Sequence, residues 1–143
     1  MILRHLCETS SHSKDFLLSH DITPQLRSKM IDWMIEVLSS YKMNEDSFFR
    51  SVKIMDRFLN RTEKKQEVKD LHLIGVASMW TACKYEEIYP IKLDTMYDKI
   101  ARKKFTKTEI IQKESDILCA LNFKMEEVRY FYYGSKEAWE TYD

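Results

Sequence analysis

Residues 71–83 read LHLIGVASMWTAC, and a helix built from them has almost no polar side. Leu71, Leu73, Ile74, Gly75, Val76, Ala77, Met79, Trp80, Ala82 and Cys83 point in every direction around its axis. A helix that is apolar all round is buried all round. The run is shorter than the roughly 20 residues a membrane span needs, so other parts of this chain must cover it. Small residues at Gly75, Ala77, Ser78 and Ala82 let neighbouring helices approach closely. A hub helix at about residues 68–87, ended by Pro90, is the expected organiser of the fold.

The neighbours of that hub carry their own helix signals. Thr23 suits an N-cap and Pro24 the first helical position, where a missing N–H is not needed. Leu26, Met30, Trp33, Met34, Val37, Leu38 and Tyr41 then recur at helical spacing. Asn44 offers a second N-cap ahead of Phe48, Phe49, Val52, Ile54, Met55, Phe58 and Leu59. Residues 61–69 read as a charged connector. Leu93, Met96, Tyr97 and Ile100 mark a short fourth helix, and Thr106 with Glu109 forms a capping box that opens a fifth. Residues 1–21 are expected to hold a short, loosely packed helical extension. Residues 125–143, rich in Tyr, Phe and Trp, are also expected to be helical. Only two glycines and two prolines among 143 residues exclude a sandwich or barrel, which needs frequent turns. The expected fold class is all-α, with four helices around a central one.

Composition and spacing exclude several functions. Twenty-three basic residues balance twenty-three acidic ones, so neither nucleic acid nor an anionic membrane is an expected partner. Cys7, Cys83 and Cys119 are odd in number and widely spaced, which reads as reduced thiols. Polar and charged residues within the first five give no expectation of a signal peptide. Gly75 and Gly134 cannot form a phosphate loop. His5, His12, His20 and His72 never pair at ligand spacing, so no metal or other cofactor is expected. No acid–base pair stands out from spacing, and nothing here points to an enzyme.

Specific residues then add a resemblance. Residues 26–37 read LRSKMIDWMIEV and resemble the opening helix of the cyclin box. Residues 55–59, MDRFL, resemble its second helix. Residues 71–79, LHLIGVASM, followed by residues 82–90, ACKYEEIYP, resemble its third. Residues 110–118, IIQKESDIL, resemble its fifth, flanked by FTKTE at 105–109 and LNF at 121–123. The likeness runs in order over residues 22–123. It implies a five-helix first cyclin box there, with residues 124–143 a helical tail or the start of a second box.

The resemblance implies a cell-cycle regulatory subunit, found in nucleus and cytoplasm, that binds and activates a cyclin-dependent protein kinase. It carries kinase contact over to Lys84, Tyr85, Glu87, Glu114, Leu118 and Phe123. It also pairs Arg27 with Asp56 between the first two helices, where the residues alone read as separate surface charges. It further implies a substrate-docking groove at Leu26, Lys29, Met30, Trp33, Glu36, Leu71 and His72. There this chain departs from the family: Lys29 replaces an aliphatic residue and His72 a glutamine. The departure implies weak docking of the family's usual Arg-x-Leu motif and leaves a modified patch for kinase substrates or inhibitors. Two other readings stay open on sequence: an interaction domain that keeps the fold without activating a kinase, and a transcription-factor-like relative of the fold.

Overall fold

The computed structural model describes residues 14–121, with side chains from Leu17 onward. The expectations for residues 1–13, Phe123 and residues 124–143 lie outside the described residues. A 3-10 turn, Lys14–Ser19, leads into five helical elements. These are α1 (Pro24–Ser40), α2 (Glu45–Arg61), α3 (Val68–Glu86), α4 (an α turn, Leu93–Thr95, running into a π turn, Met96–Ile100) and α5 (Lys107–Ala120). No strand occurs among the described residues.

Local chemistry sets the starts of these helices. The Thr23 hydroxyl accepts from Leu26 N at 3.2 Å, with Pro24 opening α1. Asn44 Oδ1 accepts from Asp46 N at 2.9 Å at the head of α2. Thr106 and Glu109 exchange two bonds of 3.0 Å at the head of α5. Each satisfies backbone donors that the first turn of a helix leaves open.

The hub is α3, which packs against α1, α2, α4 and α5. Leu71, Ile74, Val76, Ala77, Met79, Ala82 and Cys83 are all buried along it. They meet Met34 and Leu38 from α1, Val52, Met55 and Leu59 from α2, Met96 from α4, and Ile110 and Ile117 from α5. Each fully buried aliphatic side chain is worth about 1.5–3 kcal/mol relative to exposure. Gly75 lets α1 come close: a Cβ there would lie 2.8 Å from Met30 Sδ.

The fourth element differs from the regular short helix its spacing suggests. Ala101 N reaches back to Met96 O at 2.8 Å, which widens the turn to the π form and buries Met96 and Ile100 together. Arg102 and Lys103 then adopt φ of 50° and 60°, the left-handed region that side chains with a Cβ disfavour. That reversal exposes the 102–104 segment beside the start of α3.

Several charged groups inside the fold are paired across helices. Arg27 on α1 donates from Nε to Asp56 Oδ1 at 2.8 Å and from Nη2 to Asp56 Oδ2 at 2.5 Å. Burial raises the Asp56 carboxyl above its ordinary range, and the Arg27 bonds oppose that rise. Arg50 on α2 forms an ion pair with Glu86 at the end of α3, both side chains buried. Arg61 Nη1 donates to Leu121 O at 3.0 Å and so ties the ends of α2 and α5.

Between α2 and α3 the charged connector is anchored from below. His20 is buried; its Nε2–H donates to Leu59 O at 2.7 Å and its Nδ1 accepts from Gln66 N at 3.0 Å. Those two bonds require a neutral ring with the proton on Nε2. Asp21 N adds a bond of 2.9 Å to Gln66 O.

Two outcomes test this account. Arg27→Ala alone strands a half-buried carboxylate and should cost about 3 kcal/mol, whereas the double variant Arg27→Met/Asp56→Leu should cost less than the sum of its single changes. Urea melts of the four proteins measure the coupling, and additivity within a few tenths of a kcal/mol would refute it. His20→Ala leaves a buried carbonyl and a buried N–H without partners and should lower stability by about 2 kcal/mol or more; an unchanged denaturation midpoint would contradict the anchoring role.

Candidate functional site

At its C-terminal end the hub carries polar chemistry. Lys84 sits in the last turn of α3, where a cation suits the negative end of the helix dipole. Its Nζ lies 2.6 Å from Glu114 Oε2 on α5 and 3.6 Å from the centre of the Trp80 ring. Thr81 Oγ1 lies 2.8 Å from both Glu114 Oε2 and Ala77 O, so its single proton faces two acceptors. Trp80 and Thr81 are therefore part of the same cluster as Lys84 and Glu114.

Side-chain exposures of 21% for Lys84 and 14% for Glu114 make this a shielded pair with one face toward solvent. An ammonium has three donors, and the contact with Glu114 occupies one. The others can meet backbone carbonyls of a partner. Tyr85 and Leu118 flank the pair, each partly exposed. Glu87 has a different setting. Its Oε2 accepts from Asn44 N at 2.8 Å and from Ser47 Oγ at 2.5 Å. A carboxylate from the end of α3 thus caps the start of α2, where the dipole favours an anion.

Just beyond lies a feature that periodicity does not reveal. Ile88 and Tyr89 are 89% and 87% exposed. Two large apolar side chains standing free beside a charged cluster suit burial by a partner. The available signal was their place in sequence, directly after a helix cap and before Pro90.

Near the other end of the hub lies a groove of about 390 Å³. Of the residues expected there, Leu26, Lys29, Met30, Trp33, Leu71 and His72 line it together. Glu36 is exposed and lies outside the lining, one turn past Trp33 on α1. Val68 at the start of α3 and Ile100, Ala101, Arg102 and Lys104 complete the wall; spacing along α1 and α3 could not reveal the last four, because the α4 reversal brings them in. The His72 ring makes edge contacts with Trp33 at 4.9 Å and with Phe105 at 5.3 Å. Burial lowers the His72 pKa below its ordinary 6.5, and the nearby Lys104 charge lowers it further. At the hub's core the Cys83 thiol is pushed up to about 12, chiefly by burial, which leaves it inert at neutral pH.

The described residues thus form an all-helical domain with a buried hub, a bridged cation–carboxylate cluster at one end and a groove near the other. Comparison with known proteins gives the family. The family model for the cyclin N-terminal domain matches residues 1–126. Cyclin-A3-2 of Arabidopsis thaliana is 40% identical over 106 residues, which is 73% of this chain and 27% of that protein. G2/mitotic-specific cyclin-B2 of Oryzias luzonensis is 33% identical over 112 residues, 78% of this chain and 28% of that protein. Among solved structures, a viral cyclin from herpesvirus saimiri superposes with a TM-score of 0.69 at 26% identity, covering 90% of this chain and 56% of that one. The chain belongs to the cyclin family, within its N-terminal domain. It spans under a third of the length of these curated relatives.

His72 gives a pH test. A pKa lowered on folding means that the unfolded chain takes up the proton first. The contribution to stability is therefore complete above about 6.5 and is lost as pH falls through the lowered folded value. Stability measured against a His72→Gln reference should decline from about pH 7 to about pH 5. A flat difference in denaturation midpoint over that range would contradict the assignment.

Proposed function

We propose that this chain is a regulatory subunit, itself without catalysis, that binds a cyclin-dependent serine/threonine kinase and favours its active arrangement during the cell cycle. The observation that carries the reading is the Lys84–Glu114 bridge between α3 and α5, set beside exposed Ile88 and Tyr89. A partner helix laid across this end would bury the two apolar side chains and bring its terminal carbonyls to Lys84. Tyr85 and Leu118 extend the same contact surface. Glu87 acts from behind by holding the start of α2 against α3.

Such a kinase needs its strand lysine paired with a helix glutamate before phosphoryl transfer. Activation requires only that this chain bind the arrangement with that helix inward better than the alternative. Two helices already fixed to each other by an ion pair present a rigid face, so little ordering opposes binding. The cyclin-A and cyclin-B likeness supports a cell-cycle role, and action in nucleus and cytoplasm is proposed with it.

The test is reconstitution with cyclin-dependent kinases and a peptide phosphorylation assay. Lys84→Ala should weaken kinase binding by tens to thousands of times, as expected for about 2–5 kcal/mol lost with one partner of an interfacial charge pair. Ile88→Ser/Tyr89→Ser should also weaken binding while leaving the melting temperature unchanged, because both side chains are exposed in the free chain. Normal kinase activation by either variant would sink the reading.

A further inference from the structure

The groove at the start of α3 has an apolar floor and a rim of a single charge sign. Trp33 and Met30 contribute to the floor. Lys29 on α1 and Arg102 and Lys104 from the segment after α4 form the rim, and all three are exposed. No acidic side chain lines the groove, and no carboxylate among the described residues is ion-paired with these three cations. Several other surface cations are paired: Lys65 with Asp21, Lys69 with Glu67, Lys103 with Asp98, Lys107 with Asp94. Lys103 lies between two groove cations, yet it points to its own carboxylate and is absent from the lining.

We infer that this groove docks an acidic protein segment, with apolar anchor residues seated on the floor and flanking carboxylates meeting Lys29, Arg102 and Lys104. Charge complementarity selects this occupant. A basic segment would bring like charges to a rim with no counter-charge, and such juxtaposition discriminates strongly against a partner. Lys29 makes both parts possible, because its stem lines the wall while its ammonium stays in water. The left-handed turn at Arg102 and Lys103 is what brings the second and third rim charges to the floor. Nucleic acid fits less well. The chain is neutral overall, so it offers nucleic acid no net attraction from its total charge.

The groove lies about 18 Å along α3 from Lys84, taking His72 to Lys84 at 1.5 Å per residue. An acidic segment can therefore be tested on the free chain, independently of any kinase.

The experiment uses the full chain and two dye-labelled peptides read by fluorescence anisotropy. One is Glu-Glu-Leu-Gly-Phe-Glu-Glu; the other has the same anchors with Arg at every Glu. The acidic peptide should bind about tenfold or more tightly than the basic one. Its advantage should shrink at about 0.5 M salt, where screening acts within a few ångströms. An acidic peptide with both anchors changed to Ala should bind at least tenfold more weakly. Lys29→Glu/Lys104→Glu should reverse the preference, and because both residues are exposed the melting curve should be unchanged; if that variant does not melt cooperatively, the two peptides on the unmodified chain decide alone. The inference is overturned if the acidic peptide does not bind, if the basic peptide binds equally or better, or if removing the anchors has no effect. It is overturned equally if a duplex oligonucleotide binds more tightly than the acidic peptide, or if sedimentation shows a second copy of the chain covering the groove.

Discussion

The absence of a polar side on α3 governs the whole arrangement. Because its middle is apolar on nearly every side, α1, α2, α4 and α5 all supply apolar cover, and Leu73 and Trp80, expected inside, stay only partly buried. Chemistry is thereby pushed to the hub's two ends, where neighbours stop covering it. Lys84 and the Glu114 bridge occupy one end; His72 and the groove occupy the other. A burial requirement thus decides where binding surfaces can stand, before any binding residue is considered.

Charges that do lie inside the packed region serve geometry. Arg27–Asp56 fixes α1 on α2, Arg50–Glu86 fixes α2 on the end of α3, and Glu87 caps α2 from α3. Buried ion pairs are weak sources of net stability, since desolvation offsets attraction. Their use here is registry. Packed apolar helices can slide by a turn at modest loss, whereas a two-point Arg–carboxylate bond is satisfied in one position only. The cluster at Lys84 depends on that registry, because its carboxylate comes from a different helix.

What could be read directly from the chain was everything encoded within about a turn of helix. Thr23, Asn44 and the Thr106–Glu109 box announce helix starts, and the apolar run announces the hub, because caps and periodicity are local. Arg50 and Glu86 stand 36 positions apart and look like two solvated charges until the crossing of their helices is known. His20 looked like an isolated ring, since its partners Leu59 and Gln66 come from distant segments. The left-handed pair at Arg102 and Lys103 has no Gly or Asn to announce it, so two of the three rim cations were not legible in the sequence. The family likeness located the kinase-face candidates, but the internal engagement of Glu87 is a matter of packing that no motif records.

Gly75 and Met30 link the hidden and visible parts of this protein. Where a side chain at 75 would stand, the Met30 sulfur already lies, and the same Met30 forms part of the groove. The thioether is flexible and polarizable, the kind of group that shifts to fill whatever room it is given. The floor of the groove is thus the outer surface of a core contact. Its depth can be retuned by a change at a buried position that no ligand touches, so this surface can acquire new binding preferences from within while every exposed residue stays the same.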